Sequence, residues 1–221
     1  MSTLEIKDGV LPGVDATASS PLSFIVRPGE TVALVPDDAG DGTAVLRTIL
    51  GFEPLAQGYV SVDGEPIFPP SAHLFRRDMT YVPADFSMPF ATVEEMAKSV
   101  FLLKSSTDNP FRKHDLNVCW RELDIAPDTY TLPLREVAAD VVQRILLAAA
   151  AMSKRPVVLL DQPTSRQDDT HSQLVTRFLR SNAFAQSSVL VVTDDSRLWP
   201  ACDRTIRLFS SNTTEQHTDK I

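Results

Sequence analysis

Residues 140–160, DVVQRILLAAAAMSKRPVVLL, limit the fold more than any other stretch of the chain. The first part has the length of a helix and is apolar on nearly every side, which a surface helix cannot be. The second, residues 157–160, is a short run of valine and leucine without polar alternation, as expected of a strand covered on both faces. A buried helix running into such a strand points to a parallel α/β sheet. Residues 31–35 and 79–82 read as further strands, and 189–193 and 204–208 as the strands that finish the sheet. Residues 4–7, 22–26 and 59–62 read as flanking strands. Helices are expected over 43–50, 92–102, 114–123 and 171–179, with a loop over 10–20 and a polar turn over 105–110. No repeat or linker interrupts the chain.

Residues 31–52, TVALVPDDAGDGTAVLRTILGF, have the strand–turn–helix layout of a phosphate-binding loop. Such a loop cradles phosphate with successive main-chain N–H groups and places one lysine on the outer phosphates. Here the turn is Pro36, Asp37, Asp38, Ala39, Gly40, Asp41, Gly42, Thr43 and Ala44, and no lysine occurs between Lys7 and Lys98. Gly42 stands at the lysine position when Thr43 keeps the magnesium hydroxyl. A shift of one residue puts Asp41 there instead. Each carboxylate held roughly 6 Å from a phosphate would cost about 1 to 3 kcal/mol. Gly40 and Gly42 are expected to serve a turn rather than a ligand.

The order of segments resembles an ATP-binding cassette (ABC) transporter subunit over residues 4–208. LSFIVRPGETVALV (22–35) is similar to the strands and Pro-Gly turn leading into the family's phosphate loop. GYVSVDGEPI (58–67) is similar to its hairpin with an Asp-Gly turn, and YVPADFSMPFATVEEMA (81–97) to its glutamine loop and following helix. Within the last of these, Thr92 and Glu95 have capping-box spacing. PVVLLDQPTS (156–165) and SVLVVTDD (188–195) resemble the magnesium-site and switch-histidine strands. The resemblance implies a doubly wound core sheet of the P-loop NTPase type, an antiparallel β flank and a small helical subdomain. It implies one domain over 1–208, with the subdomain at about 86–139 and a polar tail, 209–221, expected to be disordered.

Position by position, the resemblance implies a vacated site. The family's adenine-stacking aromatic falls on Val10, Leu11 and Pro12, and its glutamine on Ala84. Its signature segment falls on Val137, Ala138, Ala139, Asp140 and Val141. The last of these readings has a plain structural alternative, the first turn of the long buried helix. The catalytic glutamate becomes Gln162, whose amide cannot take a proton from water, and the switch histidine becomes Asp194. Thr43, Asp161 and Asp168 match, so Thr43 and Asp161 are the candidate metal ligands. Asp161 can equally be a carboxylate capping a nearby main-chain N–H.

The reading is therefore a catalytically degenerate subunit with no catalytic residue, for which the family ligands ATP and Mg²⁺ are expected to bind weakly or not at all. It would act through a membrane permease or another ABC-type subunit, as a monomer or weak dimer when alone. The alternative is an ATP-binding transport subunit with residual Mg-ATP binding and weak hydrolysis. A stand-alone interaction module is a third reading. A net charge of −8 argues against a nucleic-acid partner. The absence of any apolar run of 18 residues or a secretory-type N-terminus points to a cytoplasmic protein, peripheral to the inner face of the plasma membrane at most. The four histidines and two cysteines are scattered, with no ligand spacing.

Overall fold

Strands with both faces covered must be layered between helices or a second sheet, and the computed structural model arranges them that way. It describes residues 1–12, 21–37, 39–86, 89–101, 110–208 and 216–217. The larger sheet has the order β10-β9-β3-β8-β7-β6. Its strands are β3 (Thr31–Pro36), β6 (Met79–Val82), β7 (Val157–Asp161), β8 (Ser188–Val192), β9 (Arg204–Leu208) and β10 (Gln216–His217). All neighbours are parallel except β10, which runs antiparallel to β9. The smaller sheet is antiparallel, ordered β2-β1-β4-β5, from β1 (Leu4–Val10), β2 (Leu22–Val26), β4 (Gln57–Val62) and β5 (Glu65–Pro66). Asp63 and Gly64 both take positive φ between β4 and β5, the conformation an Asp-Gly hairpin turn requires.

Alternation along β7 splits the core in two. Val158 and Leu160 pack with α3 (Val93–Ser99), α4 (Lys113–Glu122), α5 (Ala139–Ser153) and α6 (Asp169–Leu179). Val157 and Leu159 point the other way, toward α1 (Ala39–Ile49) and the antiparallel sheet. The one remaining α-helix among the described residues is the single turn α2 (Ala72–Phe75). Trp120, fully buried on α4, packs against Tyr130, which stacks on Phe111. The Thr92 hydroxyl caps α3 by accepting from the Glu95 N–H, and Glu95 returns a carboxylate to the Ala91 N–H. Among the described residues no helix is long and apolar enough to cross a membrane.

Strand bounds follow the apolar pattern closely, and helix bounds depart from it where chain ends are set by tertiary contacts. The main correction concerns α1, which begins at Ala39 rather than Thr43. Gly40 and Gly42 are thus helical, not turn, residues. The expected helix over 92–102 ends at Ser99, with Val100 as its C-cap, and residues 102–109 lie outside the described part. Most of the expected loop 10–20 and most of the tail beyond 208 also lie outside it, apart from the β10 pair.

Candidate functional site

Leu34 pairs with Val192, and Asp161 pairs with Val192 from the other side. The segments after β3, β7 and β8 therefore leave the sheet side by side at its C-terminal edge, where open α/β sheets hold ligands. Every position singled out around Gly42, Asp161 and Asp194 comes to this edge.

At β3 the chain stays committed to the sheet. The Asp37 N–H donates to the Leu208 carbonyl at 3.1 Å, so it is turned toward β9. Asp37 is exposed, Asp38 lies outside the described residues, and Asp41 sits half-buried in the first turn of α1. A carboxylate there suits the positive end of the helix dipole. Gly42 is buried against β8. A Cβ added to it would stand 2.3 Å from Val192 Cγ1 and 3.0 Å from Pro36 Cγ. Both neighbours are stiff, one a β-branched side chain in a strand and the other a proline ring.

Thr43 points toward β7, and its hydroxyl donates to Asp161 Oδ2 at 2.8 Å. The Tyr81 hydroxyl on β6 donates to the same oxygen at 3.1 Å. Asp161 is 1% exposed, and its Oδ1 has no hydrogen-bond partner among the described residues. Burial pushes its carboxyl above the ordinary range, against the lowering effect of Thr43, Tyr81 and the Ala84 main chain. Burial and the adjacent carboxylate likewise push the Tyr81 phenol up. The folded chain therefore holds a proton on Asp161 more tightly than the unfolded chain. This carboxyl's contribution to stability rises as pH falls through its raised folded value toward about 3.9, and is lost as pH rises back. In Asp161→Asn the remaining oxygen can still accept from both hydroxyls. The variant should lie within about 1 kcal/mol of the parent near neutrality and show a flatter acid-side stability profile by urea unfolding. Superimposable pH profiles would contradict this.

Gln162 follows in a left-handed conformation, φ 48°. Its N–H donates to the Val192 carbonyl at 2.8 Å and its carbonyl accepts from Gln143 Nε2 at 3.0 Å. Its side-chain oxygen faces the Asp194 N–H across 3.5 Å, while Nε2 has no partner among the described residues. Asp194 itself is exposed. Beside it, Asp195 accepts from Thr164 Oγ1 at 2.7 Å and from Arg197. Burial acts to raise Asp195, but Arg197 and Thr164 outweigh it and hold the carboxyl low.

The segment 137–141 leads into the start of a helix. Ala138 is the N-cap of α5 and offers no side-chain cap, and Ala139, Asp140 and Val141 form its first turn. Asp140 lies 3.5 Å from the buried Arg144 guanidinium. Arg144 donates to Gln167 Oε1 at 2.8 Å, and Gln167 Nε2 donates to Gln143 Oε1 and the Asp140 carbonyl, both at 2.9 Å. Asp168 caps α6 by accepting from the His171 N–H at 2.8 Å. Arg166 pairs with Asp85 and lies over the Phe86 ring, joining the loop after β7 to the loop after β6. Tyr81, Gln167, Arg166 and Val192 were not found by sequence reasoning. Only Tyr81 left a signal, as a polar-headed residue in an otherwise buried strand.

Residues 19–165 match the family profile described as ABC transporter. The hemin import ATP-binding protein HmuV of Streptomyces coelicolor is 31% identical over 208 residues, which cover 91% of this chain and 70% of that protein. The ABC transporter ATP-binding protein YbbA of Escherichia coli is 24% identical, covering 88% of this chain and 87% of that one. A solved ATP-binding subunit of an ABC transporter superposes with TM-score 0.81 at 19% identity, covering 97% of this chain and 89% of that one. A dimeric bacterial ABC transporter cassette gives TM-score 0.79 at 18% identity, covering 97% and 98%. With the phosphate-loop layout and the two-sheet fold in place, this chain belongs to the ABC transporter family and has the fold of its nucleotide-binding domain.

Proposed function

We propose that the chain is a degenerate ABC subunit, a pseudo-ATPase that works by binding other proteins rather than by hydrolysing ATP. The observation that carries this reading is the packing of Gly42. At the position the resemblance assigns to the phosphate-binding lysine, Val192 and Pro36 occupy the space a side chain would need. The Asp37 N–H is engaged by Leu208 rather than turned toward a ligand. A magnesium–nucleotide complex does not fit these residues, and no catalytic step is assigned through one. Gln162, an amide whose oxygen faces the Asp194 N–H, supports the same reading, since it supplies no base for water.

The partner is a membrane permease or another ABC-type subunit, reached from the cytoplasmic side. Support comes from family membership and from relatives whose names describe import ATP-binding proteins. Titration calorimetry of the purified chain with Mg-ATP is expected to give no heat at millimolar ligand, and micromolar binding would overturn the reading. A second reading, residual Mg-ATP binding, is favoured by one feature. Asp161 Oδ1 is unpartnered beside the Thr43 hydroxyl, so a cation could meet a carboxylate there.

A further inference from the structure

The helices between β6 and α5 approach the first turn of α6, and an imidazole stands between them. His171 of α6 has carboxylates from two elements at its two ring nitrogens. Nδ1 lies 2.8 Å from Asp168 Oδ1, on the residue that caps its own helix, and Nε2 lies 3.8 Å from Asp124 Oδ2. Asp124 follows the C-cap of α4 and leaves that helix with φ 51°, a left-handed conformation that aspartate tolerates better than most residues.

Hydrogen-bond chemistry fixes what each nitrogen can do. Asp168 also accepts the His171 main-chain N–H at 2.8 Å, and that bond, with the ring contact behind it, holds the Asp168 carboxyl below the ordinary carboxylate range. An ionised carboxylate only accepts, so Nδ1 carries a hydrogen whether or not the ring is charged. The neutral ring therefore turns the lone pair of Nε2 toward the Asp124 carboxylate. Protonation puts an N–H in its place, and a repulsive contact becomes an ion pair.

The surrounding charges come from every element at this junction. α5 brings Asp140 and the buried Arg144, whose guanidinium is acted on by Asp140, Asp124 and Asp168 together. Asp169, beside the cap, is paired with Arg197 from the segment after β8. A neutral imidazole leaves one guanidinium facing three carboxylates; a charged one makes two cations facing three. Of the two cations only His171 changes its charge near neutral pH.

We propose that His171 is a pH-sensitive clasp: protonated, it ties the end of α4 to the start of α6, and deprotonated, it releases that tie. The clasp goes beyond the protein-binding reading above and does not rest on it. It puts the hold of the core on the helices between β6 and α5 under the control of one proton, beside the loop that carries Asp168.

Urea unfolding of the full chain at about pH 5.5 and about pH 8.5, on either side of the histidine range, tests it with the parent, His171→Gln, Asp124→Asn and the double variant. At the lower pH the double-mutant cycle should couple the two residues by about threefold in the unfolding constant, within the range of exposed ion pairs, and less as salt is raised. At the higher pH the coupling should vanish. The Asp161 carboxyl changes charge alike in all four chains, so its share cancels in the cycle. Amide exchange supplies a local readout at Asp124 and Ile125, whose N–H groups bond back to α4. Their protection, corrected for the intrinsic effect of pH, should fall about threefold from the lower to the higher pH in the parent and stay level in His171→Gln. Both side chains reach solvent, so neither substitution empties the core. Coupling of equal size at the two pH values, or no coupling at the lower one, overturns the proposal.

Discussion

Replacing Gly42 with lysine, which puts a cation in the loop in the register that keeps the Thr43 hydroxyl, is expected to destabilise the chain and leave Mg-ATP binding undetected. Lysine has the better helix propensity, worth up to about 1 kcal/mol over glycine within α1. The steric term is larger. A Cβ at 2.3 Å from Val192 Cγ1 forces either β8 or the first turn of α1 to move, and overpacking of a well-filled site costs about 1 to 3 kcal/mol. For a domain of this length the thermal midpoint should fall by about 3 to 10 °C. Pairing the change with Val192→Ala makes the origin explicit. If the clash is the cause, the double-mutant cycle should show favourable coupling of about 1 kcal/mol between the two sites. Simple additivity, or micromolar nucleotide binding by Gly42→Lys with the midpoint unchanged, would show that the loop is open and that only its chemistry had been lost.

That contact shows where reading the sequence stops. The strand-forming runs were legible because burial on two faces leaves continuous apolar residues. β2, β6 and β9 have the bounds that their apolar runs suggest. That no lysine stands between Lys7 and Lys98 is legible too, since it needs only a reading of residue types. The start of α1 at Ala39 was not, because Gly40, Asp41 and Gly42 have turn-forming preferences that packing against β8 overrides. Nor was the meeting of Gly42 with Val192, which depends on two strands being adjacent although distant in the chain. Asp161 was read as a possible cap for a main-chain N–H, and the Ala84 main chain does act on its carboxyl. What the sequence did not show is that its Oδ2 also takes two hydroxyl donors, from α1 and β6, because parallel order sets β6 beside β7 and lets Tyr81 reach it. Polar groups that serve each other across elements leave no periodic trace. The pair of Arg166 with Asp85 and the bonds made by Gln167 are of that kind.

Arg144→Ala is expected to be the most damaging single change among those considered, at about 3 kcal/mol. The side chain is 3% exposed, and burial holds its guanidinium below the ordinary arginine range, with Asp140 the first of the carboxylates acting the other way. Truncation removes a packed stem from the core side of α5 and leaves Gln167 Oε1 without its donor. Breaking a buried ionic contact by deleting one partner costs about 3 to 5 kcal/mol. The lower end applies here, since the Asp140 side chain is 34% exposed and can return to water. The thermal midpoint should drop by about 6 to 12 °C. Two further variants separate charge from packing. Arg144→Met restores the stem volume but still strands Gln167, so it should recover about half of the loss. Adding Gln167→Leu removes that stranded acceptor but takes the donor away from Gln143 Oε1 and the Asp140 carbonyl, so the double variant should recover no more than Arg144→Met does alone. Should Arg144→Ala instead lose less than 1 kcal/mol, the contacts among Arg144, Gln167 and Gln143 do not hold α5 against the loop after β7, and that loop's position must come from β7 and β8 alone.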